Sequence, residues 1–472
     1  MSDDSSGARL ATALRAWIAT SPPGAKLPST RSLVAEHRVS PVTVQRALRA
    51  LTAQGVVESR PGVGTFVRGT RVASPVDFGW QTAALGVQGR RAPSHPSALQ
   101  TADGDAIGLH SGYPDRELLP ERLVRAAFAR AARGEALLGR PPTAGLPELR
   151  SWFAAELEAA TPAGTTPAAA RDVVVTPGSQ SGLLTAFRAL VGAGRPLLVE
   201  SPTYWGAILA ARQAGVQMVP VPSGPSGPDP AVLERILAET GARAFYAQPT
   251  FASPTGARWD ANRAERVLEV VRAAGAFVIE DDYAKDFGID ADPVPLATRD
   301  GSGHVVYIRS LSKSVAPVVR VAAIVARGPA RDRILADTQA DSMYVSGILQ
   351  SVALDVVTQP AWRSHVRRVG RQLGERRDLL LRSLREHAPT ATIEAVPRGG
   401  LALWARLPDD ADLAAVVERC RRDGLIVGAG DEWFPAEPTA NHLRLAYAGP
   451  QPERFEEAAR ILGSALSEPA TA

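Results

Sequence analysis

From residue 173 to residue 313 the chain repeats one pattern: a short apolar run of strand character, a turn rich in Gly, Ser, Pro or Asp, then a helical stretch. The runs 173–176, 197–200, 244–247, 277–280 and 304–308 lead respectively into Pro177-Gly178-Ser179-Gln180, Ser201-Pro202-Thr203-Tyr204, Gln248-Pro249-Thr250-Phe251, Asp281-Asp282-Tyr283 and Ser310-Leu311-Ser312-Lys313. Strands alternating with helices predict an open α/β sheet. In such a sheet ligands bind beyond the carboxyl ends of the strands, so these turns are expected to converge on one site.

Lys313 stands out within that set. Only three of the 53 basic residues are lysine, so arginine fills nearly every position where a bare charge suffices. Arginine stays protonated, whereas a partly buried lysine sheds its proton and attacks carbonyls to form Schiff bases. Lys26 lies in a Pro/Gly-rich turn and Lys285 follows an acidic cluster, where a salt bridge suffices; Lys313 follows a strand and sits among Ser310 and Ser312. Those hydroxyls, the fixed charge of Arg320 and the free amides of the 177–182 turn suit a phosphate. Read singly, each keeps a plain alternative: a surface lysine in a serine-rich loop, a turn that binds nothing.

At 472 residues the chain exceeds one core, and two or three domains are expected. Its single cysteine, Cys420, excludes an internal disulfide framework, fits a reducing cytoplasm and is expected to be structural in its helical, Arg-rich setting. No signal peptide or long apolar span is present, so a soluble protein without membrane association is expected; separately, no metal site is expected. The net charge of +4 is uneven: residues 1–70 carry nine Lys/Arg against four Asp/Glu, a balance of +5, which leaves −1 for the other 402. That asymmetry points to a polyanion partner for the N-terminus.

There, Leu10, Leu14, Trp17 and Ile18 recur at helical spacing as far as Ser21-Pro22-Pro23-Gly24. A second short helix is expected after Ser29 with Leu33 and Val34 inward, and a third with Val44, Leu48 and Leu51 on its apolar face. Two β-prone runs then flank Pro61-Gly62-Val63-Gly64 and predict a hairpin. The sum is a winged helix-turn-helix, an α+β head. It resembles the GntR family of DNA-binding domains, whose pattern stands here as Leu27-Pro28-Ser29-Thr30-Arg31, Val39-Ser40-Pro41-Val42-Thr43-Val44 and Gly62-Val63-Gly64-Thr65-Phe66-Val67. The resemblance implies double-stranded DNA as partner. Arg31 and Ser40 would meet phosphates or base edges, Thr43 and Arg46 would lie on the recognition helix, and Gly62 and Gly64 would belong to a wing approaching the minor groove. Pro41 departs from the pattern, standing where that family often has a polar or basic residue. Without the resemblance, the same segment reads as a small basic helical module that binds another protein.

Between residues 69 and 106 the periodicity disappears and Pro, Gly, Ser, Gln and Ala dominate. This predicts a flexible linker between a 1–68 head and a 107–472 domain, with Arg90 and Arg91 solvated. Beyond it, helices are expected near 121–133 and 147–160. From about residue 360 a small α+β subdomain is expected: a long helix over 361–387, then strands near 401–405 and 443–447 with a helix between.

Taken in order, these motifs resemble the fold-type I, pyridoxal-phosphate-dependent aminotransferases from about residue 106 onward. The chain as a whole resembles the MocR subgroup of GntR-family transcriptional regulators. The resemblance implies pyridoxal 5'-phosphate as cofactor, with Lys313 as the internal aldimine and Asp281 paired with the pyridine nitrogen, Asp282 being the rival one position on. It implies Tyr283 at the phenolic oxygen, Tyr204 stacked on the ring, and Ser179, Gln180, Ser310, Ser312 and Arg320 at the phosphate. Arg444 is implied as the clamp for an effector carboxylate. Two positions depart. Ser253 stands where relatives often have the asparagine that bonds the ring oxygen, and Arg140 stands near a tyrosine that relatives contribute across the dimer.

The resemblance further implies a cytoplasmic, head-to-tail homodimer that reads two DNA half-sites. Its effector would be pyridoxal phosphate itself, an amine or an amino acid, with at most partial transamination; members of the subgroup regulate vitamin B6 or amine metabolism. The alternative is an active aminotransferase with an appended DNA-binding head.

Overall fold

Helix α1 (Asp3–Thr20) opens the first unit, and two serines start the helices after it. Ser29 and Ser40 hold extended backbone and accept hydrogen bonds from Ser32 N and Thr43 N, each at 3.1 Å, capping α2 (Thr30–His37) and α3 (Pro41–Ala53). Pro41 takes the first position of α3, where its missing amide costs nothing, which gives that departure a structural reason. Strands β1 (Val57–Arg60) and β2 (Gly64–Val67) pair antiparallel with Arg60 opposite Gly64. Leu10, Leu14, Leu33, Val44, Leu51 and Val67 form the core of this unit. Trp17 sits at its edge, 36% exposed, although its spacing suggested an inward residue.

The computed structural model describes residues 3–68, 96–101 and 104–467, and the chain divides into the units Met1–Ala92 and Pro93–Ala472. Of the stretch expected as linker, residues 69–95, with Arg90 and Arg91, lie outside the described residues. Ser97–Leu99 already belongs to the second unit as a short 3-10 turn.

The second unit supplies β3 (Ile107–Gly108), β4 (Val173–Thr176), β5 (Pro196–Ser201), β6 (Gln217–Gly224), β7 (Gly227–Pro228), β8 (Ala244–Ala247), β9 (Phe277–Asp282), β10 (Val305–Ser310) and β11 (Ala322–Val325). Eight of them form one sheet in the order β4-β11-β10-β9-β8-β5-β6-β7. β10, β9, β8, β5 and β6 run parallel, and β11 lies antiparallel between β4 and β10. An antiparallel strand starts at the edge where its parallel neighbours end. Arg320, two residues ahead of β11, therefore arrives at the same edge as Lys313. Successive side chains point to opposite faces: Val174, Ile279, Ile308 and Ile324 pack on one, Val173, Val175, Tyr307 and Ala323 on the other. Asp281 and Asp282 lie inside β9, not in the turn after it, so the same alternation sends them to different faces.

The small subdomain contains the helix Pro360–His387, β12 (Thr392–Ile393), β13 (Ala402–Arg406), β14 (Leu425–Ile426), β15 (Gly428–Ala429) and β16 (His442–Ala446). β12, β13, β16 and β15 form its sheet, while β14 pairs in parallel with β3. Ile107, Leu109 and Leu118 join this core, so the start of the second unit is built into a subdomain otherwise formed from the end of the chain. Cys420 is buried there, and burial pushes its thiol up to about 12, as befits a structural residue. Among the described residues no helix is long and apolar enough to cross a membrane.

Candidate functional site

A cavity of about 450 Å³ opens at the carboxyl edge of the sheet, lined by Ser179, Gln180, Tyr204, Ser310, Ser312, Lys313 and Arg320. Strand ends β4, β5 and β10 and the start of β11 deliver these residues. The Lys313 amine lies 4.3 Å from the ring centre of Tyr283 and 5.9 Å from those of Tyr204 and Tyr113. Burial, with the positive charge of Arg444, brings its pKa down to about 7 against the pull of Asp281. Asp281 is 2% exposed. Its Oδ2 accepts from Tyr246 Oη at 2.9 Å and Gln248 Nε2 at 2.8 Å, while its buried Oδ1 has no partner among the described residues. Burial raises this carboxyl to about 6 against those two donors and Lys313. Asp282, on the opposite face, accepts from Tyr307 Oη at 2.8 Å and is removed from the cavity.

The other end of the cavity gathers donors. Gly178 holds φ +90° ahead of the helix Ser179–Ala186, and a Cβ there would stand 2.6 Å from Arg320 Nη2, so glycine is what lets the guanidinium lie against this turn. Ser310 Oγ accepts from Ser312 N at 3.2 Å, while Ser312 Oγ is buried without a partner among the described residues. Gln180 spends its side-chain amide on Gly206 O at 2.7 Å and accepts from Tyr204 Oη at 3.5 Å, which leaves its main chain to the cavity.

Three sequence-derived residues sit beside this group. Tyr283 directs its hydroxyl to Phe251 O at 2.9 Å, so in this arrangement its ring supports the lysine and its proton is engaged elsewhere. Ser253 does not line the cavity; its amide donates to Gln248 Oε1 at 2.8 Å, and Gln248 in turn holds Asp281. Arg444 is buried on β16, donating to His110 O at 3.3 Å and Ser111 O at 3.1 Å, and has no carboxylate partner among the described residues. Arg140 is exposed. Sequence reasoning gave no role to Gln248 and Tyr246, although Gln248 follows a strand end directly. It also missed Tyr113, Ala98 and Leu99, which line the cavity from a segment without periodicity.

In the first unit, α3 exposes Val42, Gln45, Arg46 and Arg49, and Arg31 and Ser40 are exposed as well. Thr43 lies on this helix but faces the core, 5% exposed, its hydroxyl 2.8 Å from that of Ser40. It serves the cap and not the outer surface. Gly62 turns the hairpin at φ +74°; at Gly64, φ +139°, a Cβ would strike the Lys26 stem at 2.7 Å.

Pyridoxal phosphate needs an amine that can be neutral, a carboxylate for its ring nitrogen and donors for a phosphate. The neutral-leaning Lys313, the unpartnered Asp281 Oδ1, and Arg320 with Ser312 and a helix N-terminus meet those needs. Sheet and pocket define a fold-type I pyridoxal-phosphate domain, preceded in the chain by a winged helix-turn-helix head. Residues 105–462 match the aminotransferase class I and II family, and residues 7–67 match the bacterial regulatory proteins of the gntR family. The chain is 29% identical over 458 residues to "Probable rhizopine catabolism regulatory protein MocR" of Rhizobium meliloti, covering 93% of this chain and 89% of that protein. It is 28% identical over 415 residues to "Vitamin B6 salvage pathway transcriptional repressor PtsJ" of Salmonella typhimurium, with 88% and 87% covered. Among solved structures, LysN, the alpha-aminoadipate aminotransferase of Thermus thermophilus, in complex with N-(5'-phosphopyridoxyl)-L-leucine, superposes with a TM-score of 0.71 at 29% identity, covering 77% of this chain and 92% of LysN. The chain belongs to the MocR subgroup of GntR-family transcriptional regulators: a DNA-binding head joined to an aminotransferase-like domain whose cofactor is pyridoxal phosphate.

Proposed function

We propose that Lys313 carries the cofactor, that a small amine or amino acid is read in the same pocket, and that occupancy selects between arrangements of the DNA-binding heads. When bound, pyridoxal phosphate supplies an aldehyde for a neutral amine and a ring that withdraws electrons. Lys313 offers that neutral amine near pH 7. Asp281 Oδ1 would accept from the ring nitrogen, Tyr204 would cover the ring, and Ser179, the Gln180 main chain, Ser310, Ser312 and Arg320 would hold the phosphate. Ser253 acts only through Gln248.

The sensor reading rests on Arg444, a buried guanidinium that donates to the carbonyls of His110 and Ser111 and has no carboxylate partner among the described residues. Such a cation suits the carboxylate of an amino acid. Arg444→Ala is expected to keep cofactor attachment and to weaken amino-acid-induced absorbance changes about a hundredfold, the usual penalty for one half of a buried charge pair. Equal titrations in both proteins would refute the assignment.

Occupancy would act first on the segment at the start of the second unit. Ser97–Leu99 precedes the second unit's first strand, and Ala98 and Leu99 line the pocket. Glu432 clamps this segment, accepting from Ser97 N at 3.0 and 3.1 Å and from Ser97 Oγ at 2.9 Å. A ligand that prefers one position of this segment would shift the equilibrium between its positions. On the head, Arg46 with Gln45 and Arg49 would face the bases, Arg31 and Ser40 the phosphates, and the Gly62–Gly64 wing the minor groove.

A homodimer is supported by exposed apolar residues: Leu137 (51%), Leu138 (93%) and Met343 (70%) flank segments that meet where Ala136 O approaches Gly347. Light scattering is expected to give twice the chain mass; a monomer would refute it. Two heads imply two half-sites and action where the chromosome lies, in the cytoplasm. The neutral-leaning Lys313 also favours a second reading, an active aminotransferase, since the same amine can move a proton at a substrate carbon. Sustained turnover with a keto acid would support that reading; a single half-reaction supports the sensor.

A further inference from the structure

A second cavity, of about 830 Å³, opens between the large and small subdomains, and none of the residues assigned above to the cofactor lines it. One wall, the β6–β7 hairpin with the helix Ala261–Ala273, brings Arg263 and Arg266. The opposite wall is the small sheet, with Trp404 from β13 and His442 from β16.

The aromatic wall is preassembled. Trp404 and His442 lie face to face, 4.6 Å apart with 9° between their planes, and Phe434 closes the group at 6.3 Å from Trp404 and 6.2 Å from His442. His442 and Phe434 are buried, whereas Trp404 keeps part of its surface exposed. An indole backed on one face by an imidazole has its other face available to a flat ring.

The charges select the rest of the ligand. Arg406 is balanced by Glu394 at 3.4 Å and Asp409 at 3.0 Å. Asp229 is occupied as a helix cap, accepting from Ala231 N at 3.0 Å. Arg263 donates to Pro228 O at 2.7 Å, and neither it nor the exposed Arg266 has a carboxylate partner among the described residues. Two guanidinium groups on this wall thus stand without a paired carboxylate among the described residues, with Asp229 the acid that shares their wall.

We propose that this cavity is a second ligand site, for a flat aromatic carboxylate whose ring lies on Trp404 and whose anionic group meets Arg266 and Arg263. Trp433 stands close to both assigned groups, its ring 6.2 Å from that of Trp404 and 5.8 Å from the Arg444 guanidinium. A carboxylate probe must therefore be assigned between the two.

Isothermal titration of the full, cofactor-loaded chain with indole-3-acetate, which has no amine to react with the cofactor, tests the proposal. Binding is expected to weaken at least about tenfold in Trp404→Ala and in Arg266→Glu, the range of one stacked or charge-assisted contact, and to persist in Arg444→Ala. 3-Methylindole, the same ring without the carboxylate, is expected to respond to Trp404→Ala and not to Arg266→Glu. Arg266 is exposed on its helix, so that variant keeps the fold and decides the question even where Trp404→Ala unfolds. The proposal is overturned by an absence of binding at about millimolar probe, by binding that Arg266→Glu leaves untouched, or by binding lost only in Arg444→Ala.

Discussion

Lys313→Ala is expected to abolish covalent attachment of pyridoxal phosphate: the native chain, reduced with borohydride and digested, should carry a pyridoxyl group at residue 313, and the variant none. Lys313 is the lysine that lines the cavity. Lys285 is half-buried and donates to Pro293 O at 2.8 Å, and Lys26 lies in the first unit against the wing. The same experiment has a pH signature. With the Lys313 amine held at about 7, its proton blocks attack below that pH and is gone above it. Trapping should rise through neutrality and level off by about pH 8, whereas an ordinary lysine would still be climbing at about pH 10.

Asp281→Ala is expected to weaken cofactor binding by about 3 kcal/mol or more, roughly two orders of magnitude. Tyr246 and Gln248 fix the carboxylate through Oδ2 and leave Oδ1 without a partner in a buried position. With a pKa of about 6, the group is mostly charged at neutral pH and able to hold a protonated ring nitrogen. The neighbouring acid is the control. Asp282 bonds Tyr307 on the other face of the sheet, so Asp282→Asn should leave cofactor affinity within about twofold of native, as expected of a change remote from the contact. Equilibrium titration by absorbance separates the two variants, and equal losses in both would sink the assignment of Asp281.

The sheet was legible because its strands are buried on both sides. Residues 173–176 and 244–247 contain no polar residue that faces water, and both strands span the expected residues. The acidic pair in β9 broke that pattern and read as a turn; only the contacts with Tyr246, Gln248 and Tyr307 reveal why carboxylates are tolerated inside a strand. Lys313 and Arg320 could be singled out by chemistry, since a lysine in an arginine-rich chain and a fixed charge ahead of a strand are local signals. Gln248 carried the strand-end signal of its turn but not its partner, Asp281, 33 residues on, while Tyr113 and Leu99 carry no local signal at all. β3 is two residues long and has no period to detect. Thr43 was assigned to the correct helix, but its burial at 5% exposure depends on how α3 packs in the head, beyond the local contact with Ser40 three residues away.

DNA binding reports whether the state of the pocket governs the head. Fluorescence anisotropy would follow the full chain on its own upstream DNA at one fixed salt concentration, with and without pyridoxal phosphate, for the native protein and Lys313→Ala. In the native chain, loading is expected to change DNA affinity by roughly 5- to 150-fold, the span of a coupling energy of about 1–3 kcal/mol, and in Lys313→Ala to leave it unchanged. Superimposable isotherms for the loaded and unloaded native protein would contradict it.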